Sequence, residues 1–322
     1  MDLSSLAMSE GRTGSGGTVP HRPLGQTGAQ VSAIGIGGYH LGATRDQAEA
    51  TQIVREAMDA GVNFFDNAWE YHQGLSEERM GAALQGVRKQ AIVMTKVCTH
   101  GRDKTVALRM LDESLRRLKT DYLDVWQIHE VIYWNDPDLI FAPNGAIEAL
   151  VQAKRDGKVR FVGFTGHKDP AIHLKMLSHD FAFDTIQMPL NCLDASFRSF
   201  EQQVLPEANR RGMGVLGMKS MGGSGEIVKH GAAAVGDALR YAMSLPVATT
   251  ISGIDAIEVL RQNLQVAINF TPMNAGVMGA LRERTKKFAA DGRYELFKTT
   301  TKYDGDPGRE QHQYPSSQQL PA

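Results

Sequence analysis

The stretch AIVMTKVCTHGRDKTVALRMLDESLRRLKTDYLDVWQIH, residues 91–129, decides the fold. It begins with an apolar, β-branched run at 91–96 and ends with a second such run at 123–129. Between them, apolar residues recur at the spacing of a helix with one buried face, at Ala107, Met110, Leu111, Leu115 and Leu118. A strand, a helix and a second strand in this order are typical of a parallel sheet with crossover helices.

The same alternation extends along the chain in both directions. Eight runs predict strands, at residues 33–37, 63–66, 91–96, 123–129, 159–165, 184–188, 214–218 and 247–252. Eight βα units in about 250 residues fit a closed barrel better than a doubly wound sheet, which commonly stops near six strands. We therefore predict an α/β fold, a (β/α)8 TIM barrel with an N-terminal hairpin over 22–32 that plugs its lower end.

Composition changes on both sides of the predicted barrel. Residues 1–18 include a run of Gly and Ser that buries little apolar surface, which predicts a flexible N-terminal segment. The catalytic barrel domain is expected over 19–285. The polar stretch that follows predicts an extended C-terminal tail over 286–322.

Charge and cysteine content exclude several classes of function. Lys and Arg total 35 against 36 acidic residues, so no strong field attracts nucleic acid or a membrane surface. Two cysteines, Cys98 and Cys192, are too few for a disulfide framework or a thiolate metal cage and suit a reducing compartment. Without a long apolar run or a secretory signal, the sequence favours a cytoplasmic protein with no membrane partner, and it leaves the oligomeric state open.

Ionisable residues close three neighbouring predicted strands. Asp66, Lys96 and His129 stand at the carboxyl ends of these strands, where barrel enzymes carry their chemistry. Tyr71 follows in the loop after Asp66 and can fold back toward Lys96. A phenol has a pKa near 10, and an ammonium held beside it by a carboxylate favours the phenolate. The four residues are therefore candidates for a proton relay, although a structural ion pair at the rim would explain each charge taken singly.

The chain resembles the aldo-keto reductases. The segments that carry the resemblance are FFDNAWEY at 64–71, LSEE at 75–78, MTK at 94–96 and QIH at 127–129. The resemblance implies that Asp66, Tyr71, Lys96 and His129 are the catalytic residues. Tyr71 would be the general acid toward a carbonyl, Lys96 and Asp66 would tune it, and His129 would orient the carbonyl oxygen. The implied reaction is reduction of an aldehyde or ketone, a small-molecule carbonyl substrate, to an alcohol by hydride transfer.

The resemblance also implies a nicotinamide cofactor, NADP with NAD as the alternative, lying extended in the barrel mouth. The run GIGG at 35–38 lacks the third glycine of a dinucleotide fingerprint, because His40 stands there. The cofactor-binding residues expected are Gly38, Thr165, Gln187, Met218, Lys219, Ser220, Gly222, Ser252, Gln262 and Asn263. Those at 218–222 replace the family's usual Tyr-Ser-Pro-Leu run and are expected on their own chemistry, as a polarizable side chain, a point charge and flexible glycines. Many relatives place cations at the positions of Gly253 and Val259, and Arg261 is the cation that stands nearby here.

Aromatic residues near the strand ends predict the substrate walls. These residues are Tyr39, Trp69, His72, Tyr133 and Trp134. They favour a fairly apolar or ring-bearing carbonyl compound. Residues 295–315 are expected to cover the pocket, as C-terminal segments do in relatives.

Three other functions stay open at this point. A metal-dependent barrel hydrolase would use His40, Asp66, Lys96 and His129, but the sequence offers few ligands and we expect no metal. A Schiff-base lyase would use Lys96 as its nucleophile. A barrel that binds cofactor and turns over slowly, or not at all, would serve as a regulatory subunit.

Overall fold

The computed structural model describes residues 17–97, 102–311 and 313–319. Most of the segment predicted to be flexible, residues 1–16, lies outside the described residues, and so does Cys98. Among the described helices, none combines the length and the apolar character needed to cross a membrane.

Eight parallel strands close into a barrel, and an antiparallel hairpin precedes them. The hairpin pairs β1 (His21–Pro23) with β2 (Gln30–Ser32). The barrel strands are β3 (Ile34–Gly37), β4 (Phe64–Asp66), β5 (Ile92–Val97), β6 (Leu123–Ile128), β7 (Val159–Thr165), β8 (Thr185–Pro189), β9 (Gly214–Met218) and β10 (Thr249–Gly253). The TIM barrel, its eight strands and the hairpin are thus confirmed, and each predicted strand boundary falls within two residues of the observed one.

Helices follow the strands on the outside of the barrel. The helices that follow β3 to β7 are α1 (Gly38–Gly42), α2 (Gln47–Asp59), α3 (Leu75–Ala83), α4 (Lys104–Leu118), α5 (Asp136–Ile140), α6 (Ala146–Arg155) and α7 (Pro170–Ser178). The helices that follow β8, β9 and β10 are α8 (Phe200–Gln203), α9 (Leu205–Arg210), α10 (Glu226–Lys229), α11 (Val235–Ser244), α12 (Ile257–Ile268), α13 (Ala275–Ala289), α14 (Leu296–Thr299) and α15 (Asp306–Gln311). Short 3₁₀ turns lie at Tyr71–Gly74, Arg88–Gln90, Asp194–Ser196 and Ser317–Gln319.

Helix α4 illustrates how the sequence builds this layer. Asp103 caps its first turn by accepting a hydrogen bond from the backbone N of Val106 at 2.8 Å. Its apolar stripe is buried against the barrel through Ala107, Met110, Leu111 and Leu118. Burial of each larger side chain in such a stripe contributes roughly 1.5–3 kcal/mol. The helix therefore packs on the outside of the barrel as the crossover between β5 and β6, which pair directly with each other.

The hairpin closes the lower end of the barrel. Leu24 and Val31 are buried with Phe64, Met94, Val125 and Leu216 in a cluster inside the barrel, separate from the larger core between strands and helices. These side chains leave no room for chemistry at that end. The opposite end, where the carboxyl ends of the strands meet, is the mouth.

The C-terminal tail packs over part of the mouth. Phe297 is fully buried, and its carbonyl oxygen lies 3.0 Å from Nδ1 of His167. Lys168 donates to Asp304 at 2.7 Å, and the backbone N of Gly305 donates to Glu130 at 2.8 Å. Because these partners follow β6 and β7, the tail covers that side of the mouth. Helix α13 runs across the boundary predicted between residues 285 and 286.

Candidate active site

Asp66 and Lys96 form a buried ion pair at the mouth. Parallel pairing of β4 with β5 sets Asp66 beside Met94, and Lys96 lies two residues further on. Nζ of Lys96 donates to Oδ1 of Asp66 at 2.5 Å and to the carbonyl oxygen of Asn67 at 2.7 Å. The exposed fraction of the Lys96 side chain is 1%. Protein groups, rather than water, therefore surround its ammonium. The second carboxylate oxygen of Asp66 accepts a hydrogen bond from Gln187 at 3.1 Å.

Tyr71 lies above this pair. Nζ of Lys96 is 5.1 Å from the centre of the Tyr71 ring. The loop reaches this position through a tight turn in which His72 and Gln73 have φ of 50° and 56°. Residues other than glycine rarely adopt such φ values, and backbone strain of this kind clusters at functional sites.

The pKa of Tyr71 departs from the direction expected for a phenol beside an ammonium. Burial raises this pKa well above its ordinary value, and the carboxylates of Asp66, Glu70 and Glu130 raise it further. The positive charge of Lys96 is offset by its short contact with Asp66, which explains why the ammonium does not dominate. The phenol is therefore a protonated group throughout the neutral range.

His129 faces Tyr71 across the mouth and is paired with Glu70. The two rings of Tyr71 and His129 meet edge to face, with centres 5.7 Å apart. Nδ1 of His129 makes a short hydrogen bond with Oε1 of Glu70. Burial lowers the pKa of His129, and the charge of Glu70 opposes this effect. Burial would raise the pKa of Glu70, but its contact with His129 outweighs burial and lowers it.

The loop after β6 is held by a buried arginine. Arg102 donates to the carbonyl oxygens of His129 and Glu130, each at 2.8 Å. It also forms an ion pair with Asp136 at 3.2 Å, in which both side chains are fully buried. Asp136 in turn accepts hydrogen bonds from the backbone N of Ile132 and Tyr133, each at 2.9 Å. The backbone that carries His129 is thus fixed from behind.

Glu130 connects this loop to the C-terminal tail. Burial raises the pKa of Glu130 to about 8, and the negative charge of Glu70 adds to the effect. Its carboxyl group accepts the hydrogen bond from Gly305 in the tail. Carboxylate and imidazole atoms of Glu70, His129 and Glu130 lie within 4.8 Å of one another. The mouth therefore contains a compact titratable group beside the predicted catalytic residues.

Two of the predicted cofactor residues present buried oxygen atoms without a hydrogen-bond partner. Thr165 on β7 and Gln187 on β8 are directly paired in register. Neither Oγ1 of Thr165 nor Oε1 of Gln187 has a partner among the described residues. A buried polar atom left in this state costs free energy, so such atoms are expected to meet a ligand. A carboxamide group, with donors and an acceptor of its own, suits them.

The loop after β9 holds four more of these residues. Met218 packs toward the cluster inside the barrel, and Ser220 is buried. Lys219 has φ of 56°, and its ammonium lies 4.6 Å from the ring centre of Tyr303 in the tail. Burial lowers the pKa of Lys219 to about 8. Gly222 has φ of 80°, which glycine adopts readily.

The remaining cofactor residues are distributed along α1, β10 and α12. A Cβ atom at Gly38 would lie 2.6 Å from the carbonyl oxygen of Asp66, so this position needs glycine. Asn263 donates to Oγ of Ser252 at 2.9 Å, whereas Gln262 is exposed.

Arg261, the cation expected near this end of the site, is paired with an acidic residue on the surface. Both carboxylate oxygens of Glu56 hold the guanidinium of Arg261, at 2.6 and 3.0 Å. The position of Gly253 is filled by His40, since a Cβ there would lie 2.2 Å from Nδ1 of His40.

The predicted substrate walls separate into two groups in space. Tyr39 lies 5.4 Å from the Tyr71 ring and 4.9 Å from the His72 ring, so these residues share the mouth. Trp134 is 62% exposed, with Nζ of Lys175 5.2 Å from its ring centre.

Trp69 and Tyr133 are engaged elsewhere. The indole of Trp69 donates to Glu113 on α4 at 2.7 Å, so its contacts lie with the helical layer rather than with the catalytic candidates. Tyr133 packs under the tail, 5.8 Å from the Tyr314 ring. The indole of Trp69 thus points toward α4, and its place at the substrate wall stays a prediction.

Three residues of the site were missed by the sequence analysis. Glu70 and Glu130 directly adjoin Tyr71 and His129 in the chain, and this adjacency of ionisable residues was a usable signal. Arg102 had no such signal, because its partners His129, Glu130 and Asp136 are distant in the sequence.

Comparison with known proteins agrees with this arrangement. The model of the aldo/keto reductase family matches residues 33–230, which is more than half of the chain. L-galactose dehydrogenase of Arabidopsis thaliana is 39% identical over 157 residues, covering 45% of this chain and 48% of that protein. Aldo-keto reductase YhdN of Bacillus subtilis is 30% identical, covering 58% of this chain and 57% of that protein. The chain thus spans about half the length of these two relatives.

A solved structure shares the whole fold. Aldo-keto reductase AKR11C1 from Bacillus halodurans, in its holo form, superposes with a TM-score of 0.69 at 24% identity. The superposition covers 86% of this chain and 99% of that one, and at this identity it supports the fold alone. The match of the family model across the strands that carry Asp66, Lys96 and His129 identifies this chain as a member of the aldo/keto reductase family.

Proposed function

We propose that this protein reduces an aldehyde or ketone to an alcohol with a nicotinamide cofactor, using Tyr71 as the proton donor. The observation that carries the proposal is the convergence of four side chains at one mouth. The Tyr71 ring lies 5.1 Å from Nζ of Lys96 and 5.7 Å from the ring of His129, and Lys96 is paired with Asp66. Family membership supports an oxidoreductase, and this geometry supports the assignment of roles.

Tyr71 is suited to act as a general acid. Its raised pKa keeps the hydroxyl protonated, so it donates a hydrogen bond to a carbonyl oxygen and then the proton itself. The phenolate that forms lies near the ammonium of Lys96, which stabilises the new negative charge. Asp66 keeps Lys96 in place, and His129 completes the wall around the carbonyl oxygen. A general acid of this kind contributes typically about 10²–10⁴-fold to the rate.

The residues around the mouth fit the cofactor that the family uses. A nicotinamide cofactor supplies the hydride when bound. Thr165 and Gln187 would hold its carboxamide, because Oγ1 of Thr165 and Oε1 of Gln187 are buried without partners within the described ranges. Lys219 would contact the diphosphate as a point charge. Arg261, the candidate for a 2'-phosphate contact, is paired with Glu56 in this structure, so NADP and NAD are both to be measured.

The substrate we propose is a small carbonyl compound. Tyr39 and His72 supply ring faces beside Tyr71, which suits an apolar or ring-bearing molecule. The similarity to an L-galactose dehydrogenase places sugars and sugar-derived aldehydes in the same test. We propose that the tail closes the pocket on the side of Tyr133.

The test combines a binding measurement with turnover. Fluorescence titration with NADPH and NADH gives the preferred cofactor, and a panel of aldehydes, ketones and sugars is then assayed with it. Tyr71→Phe should bind the cofactor as the wild type does and lose turnover by about 10²–10⁴-fold, since it removes the proton donor.

Tyr122→Phe is the matched control. Tyr122 stacks on Arg88 just before β6, at the opposite end of the barrel, so its loss of a hydroxyl should leave turnover unchanged. Wild-type turnover in Tyr71→Phe would remove the assigned role of Tyr71. Tight cofactor binding without turnover of any carbonyl would favour a regulatory barrel instead.

A further inference from the structure

The hydrogen bond between His129 and Glu70 determines which ring nitrogen of His129 carries a proton. A neutral imidazole has one N–H donor and one acceptor nitrogen, and an ionised carboxylate only accepts. Glu70 contacts Nδ1 through Oε1, and a hydrogen bond donated to a carboxyl oxygen favours the ionised form of that group. The proton of a neutral His129 is therefore on Nδ1. Nε2, on the other side of the ring, then carries a lone pair.

The surroundings of the pair favour this neutral ring. His129 is 8% exposed, and the side chain of Glu70 is equally buried. The negative charges of Asp66 and Glu70 raise the pKa of His129, whereas burial and the positive charge of Lys96 lower it, and the net effect is a lowered pKa. The buried ring of His167 also faces His129. Glu130 follows His129 in the chain, and its raised pKa leaves it largely uncharged at neutral pH.

The backbone on both sides of His129 is also fixed. Arg102 binds the carbonyl oxygens of His129 and Glu130, which fixes the backbone that carries the ring, and the ring itself is held by Glu70 and by the edge of Tyr71. Oε2 of Glu70 has no partner among the described residues, which leaves Oε1 as the atom through which Glu70 acts.

We propose that Glu70 is a positioning residue that makes Nε2 of His129 a hydrogen-bond acceptor toward the substrate. Neutral His129 then binds the hydroxyl group of an alcohol, whose O–H donates. Only the imidazolium form has an N–H at Nε2 that can donate to the oxygen of a carbonyl. This differs from a histidine that donates to the carbonyl at all pH values. The proposal rests on the proposed function, because it assumes that alcohol and carbonyl exchange at this mouth.

Nuclear magnetic resonance of the histidine ring nitrogens tests the proposal without any turnover. In the full chain without cofactor, we expect Nδ1 of His129 to be protonated and Nε2 to be unprotonated above pH 7. The signals are assigned by their loss in His129→Asn. A neutral ring with its proton on Nε2 would overturn the proposal.

Glu70→Gln sharpens the same measurement. The amide of glutamine can donate to Nδ1, so the proton of His129 is no longer confined there, and a population with Nε2–H should appear. Glu113→Gln is the matched control, since Glu113 also accepts a hydrogen bond from an aromatic N–H, that of Trp69, outside the mouth. It should leave the His129 signals unchanged. An unchanged tautomer in Glu70→Gln would overturn the role of Glu70. If that variant does not fold, the tautomer of His129 in the wild type decides whether the proposal stands.

The dependence of carbonyl reduction on pH supplies a second readout. For the wild type, kcat/KM for the carbonyl should fall as pH rises through the pKa of His129, because the donor form is lost. The carboxylate of Glu70 raises that pKa, so Glu70→Gln should move the fall to lower pH by about 1 unit or more. A fall at the same pH in both proteins would contradict the proposal. If the tautomer is as expected and no carbonyl is reduced at any pH, the proposed function fails and the positioning by Glu70 stands.

Discussion

Two buried lysines with carboxylate partners lie in different parts of the molecule. Lys96, at the end of β5, contacts Asp66. Lys298, in α14 of the tail, contacts Asp194 at 2.6 Å, Glu295 at 3.0 Å and the carbonyl oxygen of Phe197 at 2.8 Å. Both ammonium groups are almost fully removed from water. By burial and pairing alone, the two lysines look alike.

The groups around the carboxylates distinguish the two lysines. Asp194 also accepts hydrogen bonds from Ser199 and from the backbone N of Glu201, so the oxygens around Lys298 are used to bind the tail to the barrel. Above Lys96 there is instead the ring of Tyr71, and a mouth lined by unpartnered oxygen atoms. A buried lysine pair therefore indicates chemistry only where an ionisable neighbour and unsatisfied polar atoms accompany it.

The largest effect is expected from replacing each lysine by methionine. Removing one partner of a buried ion pair leaves an uncompensated charge and costs about 3–5 kcal/mol in the free energy of unfolding. We expect Lys96→Met and Lys298→Met both to lose stability of this order in denaturant unfolding at pH 7. Only Lys96→Met should also lose turnover, by about 10²-fold or more, because Lys96 stabilises the phenolate.

The two variants serve as controls for each other. Turnover is compared under conditions in which both proteins are folded, so that a difference in turnover does not reflect unfolding. A Lys298→Met protein as inactive as Lys96→Met would contradict the distinction drawn between the two lysines. Full turnover in Lys96→Met would also contradict this distinction.

A smaller effect, a few kcal/mol, is expected from the titration of Glu130. Its pKa is about 8 in the folded protein, above the ordinary value of 4.5 that it regains on unfolding. A carboxyl group with a raised pKa contributes stability that is fully present below about pH 4.5 and is lost as pH rises to about 8. The free energy of unfolding should therefore fall across this window.

Glu130→Gln removes this contribution and keeps an oxygen that can accept from Gly305. In urea unfolding from pH 4.5 to 8.5, the variant should show a shallower decline than the wild type, and so should be the more stable protein at the upper end. Burial also raises the pKa of Glu295 to about 7. The contribution of Glu295 to stability falls with pH in both proteins alike, so it cancels when the two curves are compared. Parallel curves would show that Glu130 ionises normally in the folded state.

The fold could be predicted from the sequence because each strand and helix carries its own periodicity. The runs at 91–96 and 123–129 are apolar and β-branched, and α4 between them has a regular stripe. The catalytic candidates followed directly, since the ends of parallel strands meet at one edge. Asp66, Lys96 and His129 needed no information beyond the order of the strands.

Contacts between distant segments could not be predicted in this way. The ion pair of Arg261 with Glu56 joins residues 205 positions apart, and neither residue carries a local pattern that selects the other. The same holds for the tail, where Gly305 reaches Glu130 across 175 positions.

The loops were the least predictable part of the site. Lys219, Glu130 and His72 all adopt positive φ, although side chains of these types rarely do so. In the loop after β4, the backbone turn directs Tyr71 into the mouth and Trp69 toward α4. The expectation that Trp69 lines the pocket rested on its aromatic character, which contains no information on the direction of a side chain.

The smallest effect concerns the unpartnered hydroxyl of Thr165. Thr165→Val keeps the shape of the side chain and removes an oxygen that has no hydrogen-bond partner in the part of the chain that the structure describes. The stability of the protein alone should stay the same or rise by about 1 kcal/mol, whereas cofactor affinity should fall by about tenfold, which is 1.4 kcal/mol.

Thr185→Val is the matched control on the neighbouring strand. Oγ1 of Thr185 accepts a hydrogen bond from Gln127 at 3.0 Å, so this variant should lose about 1 kcal/mol of stability and keep its affinity for cofactor. Thermal unfolding with and without cofactor measures both quantities. Opposite responses of the two variants would separate the oxygen atoms that hold the barrel together from those available to a ligand. Equal responses would mean that Thr165 has a structural partner of its own and that the carboxamide is bound elsewhere.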